Sequence, residues 1–196
     1  MTENDKMTNN VKLRKLNGVE MKRLSEEEFK VSEKFPLMLL FQNIRSMWNV
    51  GAIFRVADAA RVEKIFITGY TAVPPRKEIE KTALGATETV AWEYIHDAKV
   101  AITNLKKQGV KIAALEITEN SRKYHELTQN DFPLCIVLGN EVSGVDDEVL
   151  ELCDFALEIP QYGTKHSLNV AVAAGIAVFE AVRVLNLHQT KPYTQE

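Results

Sequence analysis

Three stretches of the chain set amide, carboxylate, guanidinium and hydroxyl side chains beside glycine, each directly behind an apolar run. The first is Gln42-Asn43-Ile-Arg45-Ser-Met-Trp-Asn49-Val-Gly51-Ala-Ile-Phe-Arg55 and the second is Gly139-Asn140-Glu141-Val-Ser143-Gly144. The third is Ile159-Pro160-Gln161-Tyr162-Gly163-Thr-Lys165-His166-Ser167-Leu168-Asn169. In the first, Asn49 suits the cap of a helix, and Arg55 faces the small residues Gly51 and Ala52 one turn earlier, which leaves room there for a partner. An ion pair with Asp58 is the plainer use of Arg55. In the second, Gly139 lets a backbone or a ligand approach a strand end, while Glu141 either accepts backbone amides or pairs an arginine such as Arg55. In the third, Gly163 marks a wide loop, and Ser167 and Asn169 stand where a helix begins, with Ser167 as a candidate cap.

Familiar phosphate and metal signatures are missing from these stretches. The chain has no G-x-G-x-x-G turn and no P-loop lysine, which argues against a generic dinucleotide-binding domain. His96, His125, His166 and His188 are isolated from one another and from both cysteines, so no metal is expected. Cys135 and Cys153 lie in apolar stretches with no C-x-x-C spacing, as in a reduced, cytoplasmic compartment.

The elements that must position the three stretches follow from hydrophobic patterning. Continuous apolar runs at 35–41, 64–69, 89–94, 110–117, 133–139 and 155–159 read as strands buried on both faces. Val50, Ile53, Phe54 and Ala57 recur at helical spacing, 96–107 carries a similar stripe, and 167–187 is rich in Ala and Val on nearly every side. A helix apolar all round is expected in the core or at a subunit interface. Strand and helix alternate, so the fold class is α/β, with a mainly parallel sheet and helices on both faces. In such sheets ligands bind outside the carboxyl ends of the strands, which is where all three polar stretches fall.

At 196 residues and 45% hydrophobic content the chain supports one domain with a substantial core. Residues 1–34 read as a polar extension with a short helix over 25–29, 35–187 as the domain, and 188–196 as a tail. No apolar run is long enough for a membrane span or an export signal. A net charge of −3 argues against coating nucleic acid through bulk charge. Local basic groups remain at Lys12, Arg14 and Lys15, at Lys22 and Arg23, at Arg76, Lys77 and Lys81, and at Lys165 beside His166.

Together the stretches resemble the SpoU (TrmH-like) branch of the SPOUT superfamily, RNA 2′-O-ribose methyltransferases, across about 35–187. Asn43-x5-Asn49-x-Gly51-x3-Arg55-x-Ala57 is similar to the family's first motif and Val137-Leu-Gly-Asn-Glu141-x2-Gly144 to its second. Ile159-Pro-x2-Gly163-x3-Ser167-Leu-Asn-Val170 is similar to its third. The order of all three carries the resemblance; any one alone is weak.

The resemblance implies a carboxyl-terminal trefoil knot, a homodimer with sites near its interface, and S-adenosylmethionine as cofactor, transferring a methyl group to a ribose 2′-hydroxyl of tRNA or rRNA. It implies cofactor contacts at Gly139, Ile159, Leu168, Glu116 and Ile117, and functional side chains at Asn49, Arg55, Glu141, Ser167 and Asn169. On this expectation Arg55 engages an RNA phosphate, Glu141 orients Arg55, and Ser167 and Asn169 surround the hydroxyl. A guanidinium holds its proton too firmly to be a good acceptor, which disfavours Arg55 as the base. Gln161 stands where many members have methionine, and Ala171 where many have serine. The segment before Phe35 is too short for the added RNA-binding domain that many members carry. Rival expectations are a SPOUT enzyme acting on a base, and a non-catalytic RNA-binding protein that keeps the fold.

Overall fold

The computed structural model describes residues 13–17, 20–21 and 24–186. The tail expected over 188–196, together with Lys12, Lys22 and Arg23, lies outside the described residues. Seven parallel strands form one sheet: β1 Phe35–Gln42, β2 Val62–Thr68, β3 Trp92–Ile95, β4 Lys111–Leu115, β5 Arg122–Lys123, β6 Leu134–Leu138 and β7 Phe155–Glu158. Their order across the sheet is β3-β2-β1-β6-β4-β7-β5. The helices are α1 Glu26–Val31, α2 Met47–Ala59, α3 Lys77–Ala83, α4 Ala86–Thr89, α5 Ala98–Lys107, α6 Asp147–Leu150 and α7 Val170–Asn186.

The central apolar runs become strands because both of their faces are covered. Leu37, Leu39 and Phe41 of β1 and Leu134, Ile136 and Leu138 of β6 point to one layer, where α2, α3, α4 and α7 pack. Met38, Leu40, Cys135 and Val137 point to the other, against α5 and α6. Such full burial stabilises the fold by about 2 kcal/mol for each large side chain. Among the described residues no helix is long and apolar enough to cross a membrane.

Several boundaries differ from expectation. Thr89 closes α4, and the strand expected from 89 begins only at Trp92, since Thr89 Oγ donates to Asp58 and its turn packs on α2. The last helix starts at Val170 rather than at Ser167, with Asn169 Oδ1 accepting from the amides of Ala171 (2.9 Å) and Val172 (3.4 Å). Nor is that helix enclosed on all sides. Ala174, Ala177, Val178, Ala181 and Val184 are buried, while Val172 and Phe179 are about half exposed on the opposite face.

At the far edge of the sheet β5 is held by a buried carboxylate. Asp131 accepts from both terminal nitrogens of Arg122 (3.0 Å each) and from the amide (2.8 Å) and hydroxyl (3.0 Å) of Thr128. Burial would push this carboxyl up, but Arg122 and Thr128 outweigh it and hold it at about 2, below its ordinary 3.8. A depressed carboxylate stabilises the fold above its unfolded value and loses that contribution as pH falls through its folded value. Asp131→Asn is therefore expected to cost about 2 kcal/mol at pH 7. Urea unfolding at stepped pH checks this: the gap from the parent must shrink between about pH 4 and pH 2, and a gap independent of pH would refute it.

Candidate active site

The sheet order explains why the first two polar stretches meet. β1 lies between β2 and β6, so the chain leaves β1 in one direction and returns on its other side, and a crevice opens beyond the carboxyl ends of β1 and β6. Phe41 is level with Leu138 in the parallel register, which brings the loop after Gln42 beside the loop after Gly139. The third stretch leaves β7, two strands further along, and returns across the ends of β4 and β6 to α7, which packs on α2.

One carboxylate joins the first two loops. Glu141 accepts from the amides of Arg45 (2.8 Å) and Ser46 (3.0 Å) and from Nδ2 of Asn49 (2.8 Å). Partial burial pushes its carboxyl up, but these hydrogen bonds prevail and hold it below the ordinary carboxylate value. Asn169 Nδ2 in turn donates to Asn49 Oδ1 at 3.1 Å, so one side chain from each stretch enters a single chain of hydrogen bonds. Glu141 thus accepts backbone amides, and it does not pair Arg55. Arg55 stands six positions beyond Asn49 on α2, about 9 Å along the axis and about 120° around it. Arg55 is exposed, and among the described residues its guanidinium has no hydrogen-bond partner, Asp58 included.

Two further expectations about α2 need correction. Its cap is Ser46, whose Oγ accepts from the amide of Asn49, so Asn49 sits inside the first turn with its side chain free for Glu141. The smallness of Gly51 serves α3 and leaves no room for an Arg55 partner: a Cβ there would lie 2.2 Å from the Ile79 carbonyl oxygen and from Thr82 Oγ1.

Beside the hydrogen-bond chain a cleft of about 380 Å³ opens over the ends of β4, β6 and β7. All five expected cofactor positions, Glu116, Ile117, Gly139, Ile159 and Leu168, line it. So do Glu141 and Ser167; Asn49 and Asn169 stand behind Glu141, and Arg55 is apart from the cleft. Glu116 organises one wall, its Oε1 accepting from the Ile117 amide (2.9 Å) and its Oε2 from the Val145 amide (3.1 Å). The opposite wall, 161–168, is irregular, and among the described residues its amides enter no backbone hydrogen bond. Apolar side chains such as Leu115, Ile117, Ile159 and Leu168 supply surface for a flat ring, and four carboxylates face a single histidine, His166. Size, free backbone groups and charge suit a nucleoside-sized ligand that carries a positive charge.

Sequence reasoning missed the residues that shape these loops. Asn140, buried, donates from Nδ2 to the Asn43 carbonyl and to the Tyr70 hydroxyl (2.8 Å each), and its Oδ1 accepts from the amides of Val142 (2.8 Å) and Ser143 (3.1 Å). The signal for it was an Asn directly behind a strand-ending glycine, a residue that bonds its own backbone two positions on. Gln42 bonds the Asp146 carboxylate and accepts from the Asp146 amide, a link between loops 104 residues apart that no local pattern contains.

Similarity to known proteins fixes the family. Residues 36–179 match the model of the SpoU rRNA methylase family. The chain is 32% identical over 167 residues to the 23S rRNA (guanosine-2'-O-)-methyltransferase RlmB of Vibrio parahaemolyticus, covering 83% of this chain and 66% of that one. Among solved structures it is similar to the TrmH/SpoU tRNA modifying enzyme of A. aeolicus, with a TM-score of 0.73 and 28% identity over 83% of this chain and 81% of that one. It is also similar to an AdoMet bound rRNA methyltransferase from Sinorhizobium meliloti, with a TM-score of 0.73 and 28% identity over 78% and 58% of the two chains. The chain spans about three fifths of the length of the curated relatives it matches. With its three motifs joined beside the cleft, the chain belongs to the SpoU rRNA methylase family.

Proposed function

We propose that the protein is an S-adenosylmethionine-dependent RNA methyltransferase that modifies a ribose 2′-hydroxyl of tRNA or rRNA, with 35–187 as its catalytic domain. The observation that carries this reading is the chain Asn169 to Asn49 to Glu141, which joins polar groups from all three motifs beside a nucleoside-sized cleft. S-adenosylmethionine bound there supplies an electrophilic methyl group on a sulfonium centre. Leu115, Ile117 and Leu168 would give its adenine an apolar bed, the free backbone of 161–168 would read the edge of the base, and the surplus of carboxylates would favour the cationic end. Such family members carry the trefoil knot, which we include in the proposal.

The protein's remaining task is to bring the hydroxyl into line and hold it there. Ser167 lines the cleft with an exposed hydroxyl, and Asn169, locked by the α7 amides and by Asn49, bounds the approach. Arg55 engages a phosphate of the RNA: its charge is fixed, and its guanidinium is unengaged among the described residues. The half-exposed apolar stripe of Val172 and Phe179 on α7 is the face for a second copy, which makes the working unit a homodimer. The free thiols of Cys135 and Cys153 suit a cytoplasmic setting.

The decisive experiment incubates the protein with methyl-labelled S-adenosylmethionine and total tRNA or rRNA, then digests the RNA to nucleosides. Label in 2′-O-methyl nucleosides supports the proposal. Label on a base, or cofactor and RNA binding without transfer, would replace it with one of the rival readings. Arg55→Ala is expected to lower single-turnover transfer about 100-fold at subsaturating RNA. Transfer that stays at the parental rate would remove Arg55 from the site.

A further inference from the structure

The outward face of α2 and α3 carries an aromatic ring that the fold itself does not use. Trp48 is 48% exposed, although Val50, Ile53 and Phe54 on the same helix are fully buried. Its backbone is held firmly, since its carbonyl accepts from Thr82 Oγ1 at 3.0 Å and the close approach at Gly51 locks α2 against α3. Lys81 Nζ sits 5.4 Å from the ring centroid. Arg55 is seven residues on, hence on the same side of α2 and about 10 Å along it. Asn49, the next residue, belongs to the hydrogen-bond chain beside the cleft.

We propose that Trp48, with Lys81 at its ring and Arg55 two turns further along α2, is a stacking platform for a single-stranded RNA nucleotide next to the one that is methylated. This inference rests on the RNA methyltransferase reading. RNA offers its unstacked bases to aromatic faces, and stacking is indifferent to the sign of the protein's charge. That suits a chain whose net charge of −3 gives no bulk attraction for a polyanion. Lys81 at the ring and Arg55 two turns along α2 are placed to take phosphates of the same strand, while the ring takes the base. The platform stands one residue from Asn49, so a base held there fixes the neighbouring ribose relative to the cleft.

Trp92→Phe leaves Trp48 as the sole tryptophan, because the chain has two. Titrating that variant with a short single-stranded oligoadenylate is expected to quench its fluorescence. Trp48→Leu is expected to weaken oligoadenylate binding and raise KM for RNA about tenfold or more, the change falling on KM rather than kcat. Affinity for S-adenosylmethionine stays at the parental value and reports an intact fold, and Trp48→Phe restores most of the RNA affinity. Lys81→Gln is expected to flatten the fall of log K with log salt. The inference is overturned if Trp48 is not quenched and Trp48→Leu binds RNA as the parent does. It is equally overturned if Trp48→Leu lowers the oligomeric state in sedimentation, which would assign the ring to a protein interface. A parent that methylates RNA alongside an unaffected Trp48→Leu removes only this inference. A quenched Trp48 in a parent that transfers no methyl group removes only the proposed reaction.

Discussion

Gly139→Ala is expected to lower affinity for S-adenosylmethionine at least about 100-fold and to destabilise the fold by about 3 kcal/mol. Gly139 follows β6 at the point where the cleft loop turns back on itself. The amides and carbonyls of Asn140 and Gly144 pair in both directions at 2.9 Å, which pulls Gly144 and Val145 over the glycine. A Cβ at 139 would lie 2.3 Å from the Gly144 carbonyl carbon, 2.4 Å from the Val145 nitrogen and 2.5 Å from the Gly144 oxygen. All three are backbone atoms, so no rotamer change relieves the clash, and the loop has to move as a unit. The movement would break the Val145 amide from Glu116 and the Asp146 amide from Gln42, which together hold one side of the cleft. Gly175→Ala is the control, because a Cβ at 175 meets only Val56 Cγ2, at 3.9 Å. Calorimetry with S-adenosylmethionine and thermal melts of both variants test this, and cofactor affinity at the parental level in Gly139→Ala would show that the loop tolerates displacement.

Hydrophobic patterning reached most of the fold because the central strands β1, β2, β4 and β6 are largely buried. β5 was beyond it: Arg122 and Lys123 present no apolar run, and the strand is held by the Arg122–Asp131 contacts instead. α3 was missed for a related reason, since Lys77–Ala83 buries only Ile79 and Ala83, too few for a visible period. The segment 89–94 misled because Thr89 and Val90 favour strands in isolation, whereas packing of α4 on α2 keeps Thr89 helical. At the site, strand ends were enough to locate the three polar stretches, but not to say who bonds whom. Asn49 meets Glu141 across 92 residues and Asn169 across 120, and both pairings depend on the sheet order, which periodicity does not contain. The expected Glu141–Arg55 pair failed on position, because the start of α2 offers two amides and an Asn side chain closer to the carboxylate than Arg55 stands.

Glu141→Gln is expected to reduce methyl transfer about 100-fold, a larger loss than removing any one amide of the same chain. The reason lies in donor and acceptor roles. An ionised carboxylate can only accept, so Asn49 must turn its Nδ2 toward Glu141 and its Oδ1 toward Asn169. Asn169 must then present Nδ2 to Asn49 and reserve Oδ1 for the amides of Ala171 and Val172. One charge therefore fixes the orientation of two amides and anchors the starts of two helices, with the carboxylate favoured further by its place at the amino end of α2. Glutamine cannot substitute, because its NH2 must face either the Arg45 amide or the donors of Ser46 and Asn49. Opposed donors at that position cost about 1–3 kcal/mol, and an Asn49 amide that flips in response turns an acceptor away from Asn169. The loss should appear in single-turnover rate at saturating S-adenosylmethionine and RNA, since the cleft walls at Glu116 and 161–168 are untouched. It should also have a pH signature. Hydrogen bonding holds the Glu141 carboxyl below 4.5, so the network survives mild acid, and the acidic limb due to this group lies below that value in the parent and is missing from Glu141→Gln. Equal single-turnover rates in the two proteins would mean that the amides keep their orientation without the charge, and that Glu141 serves folding alone.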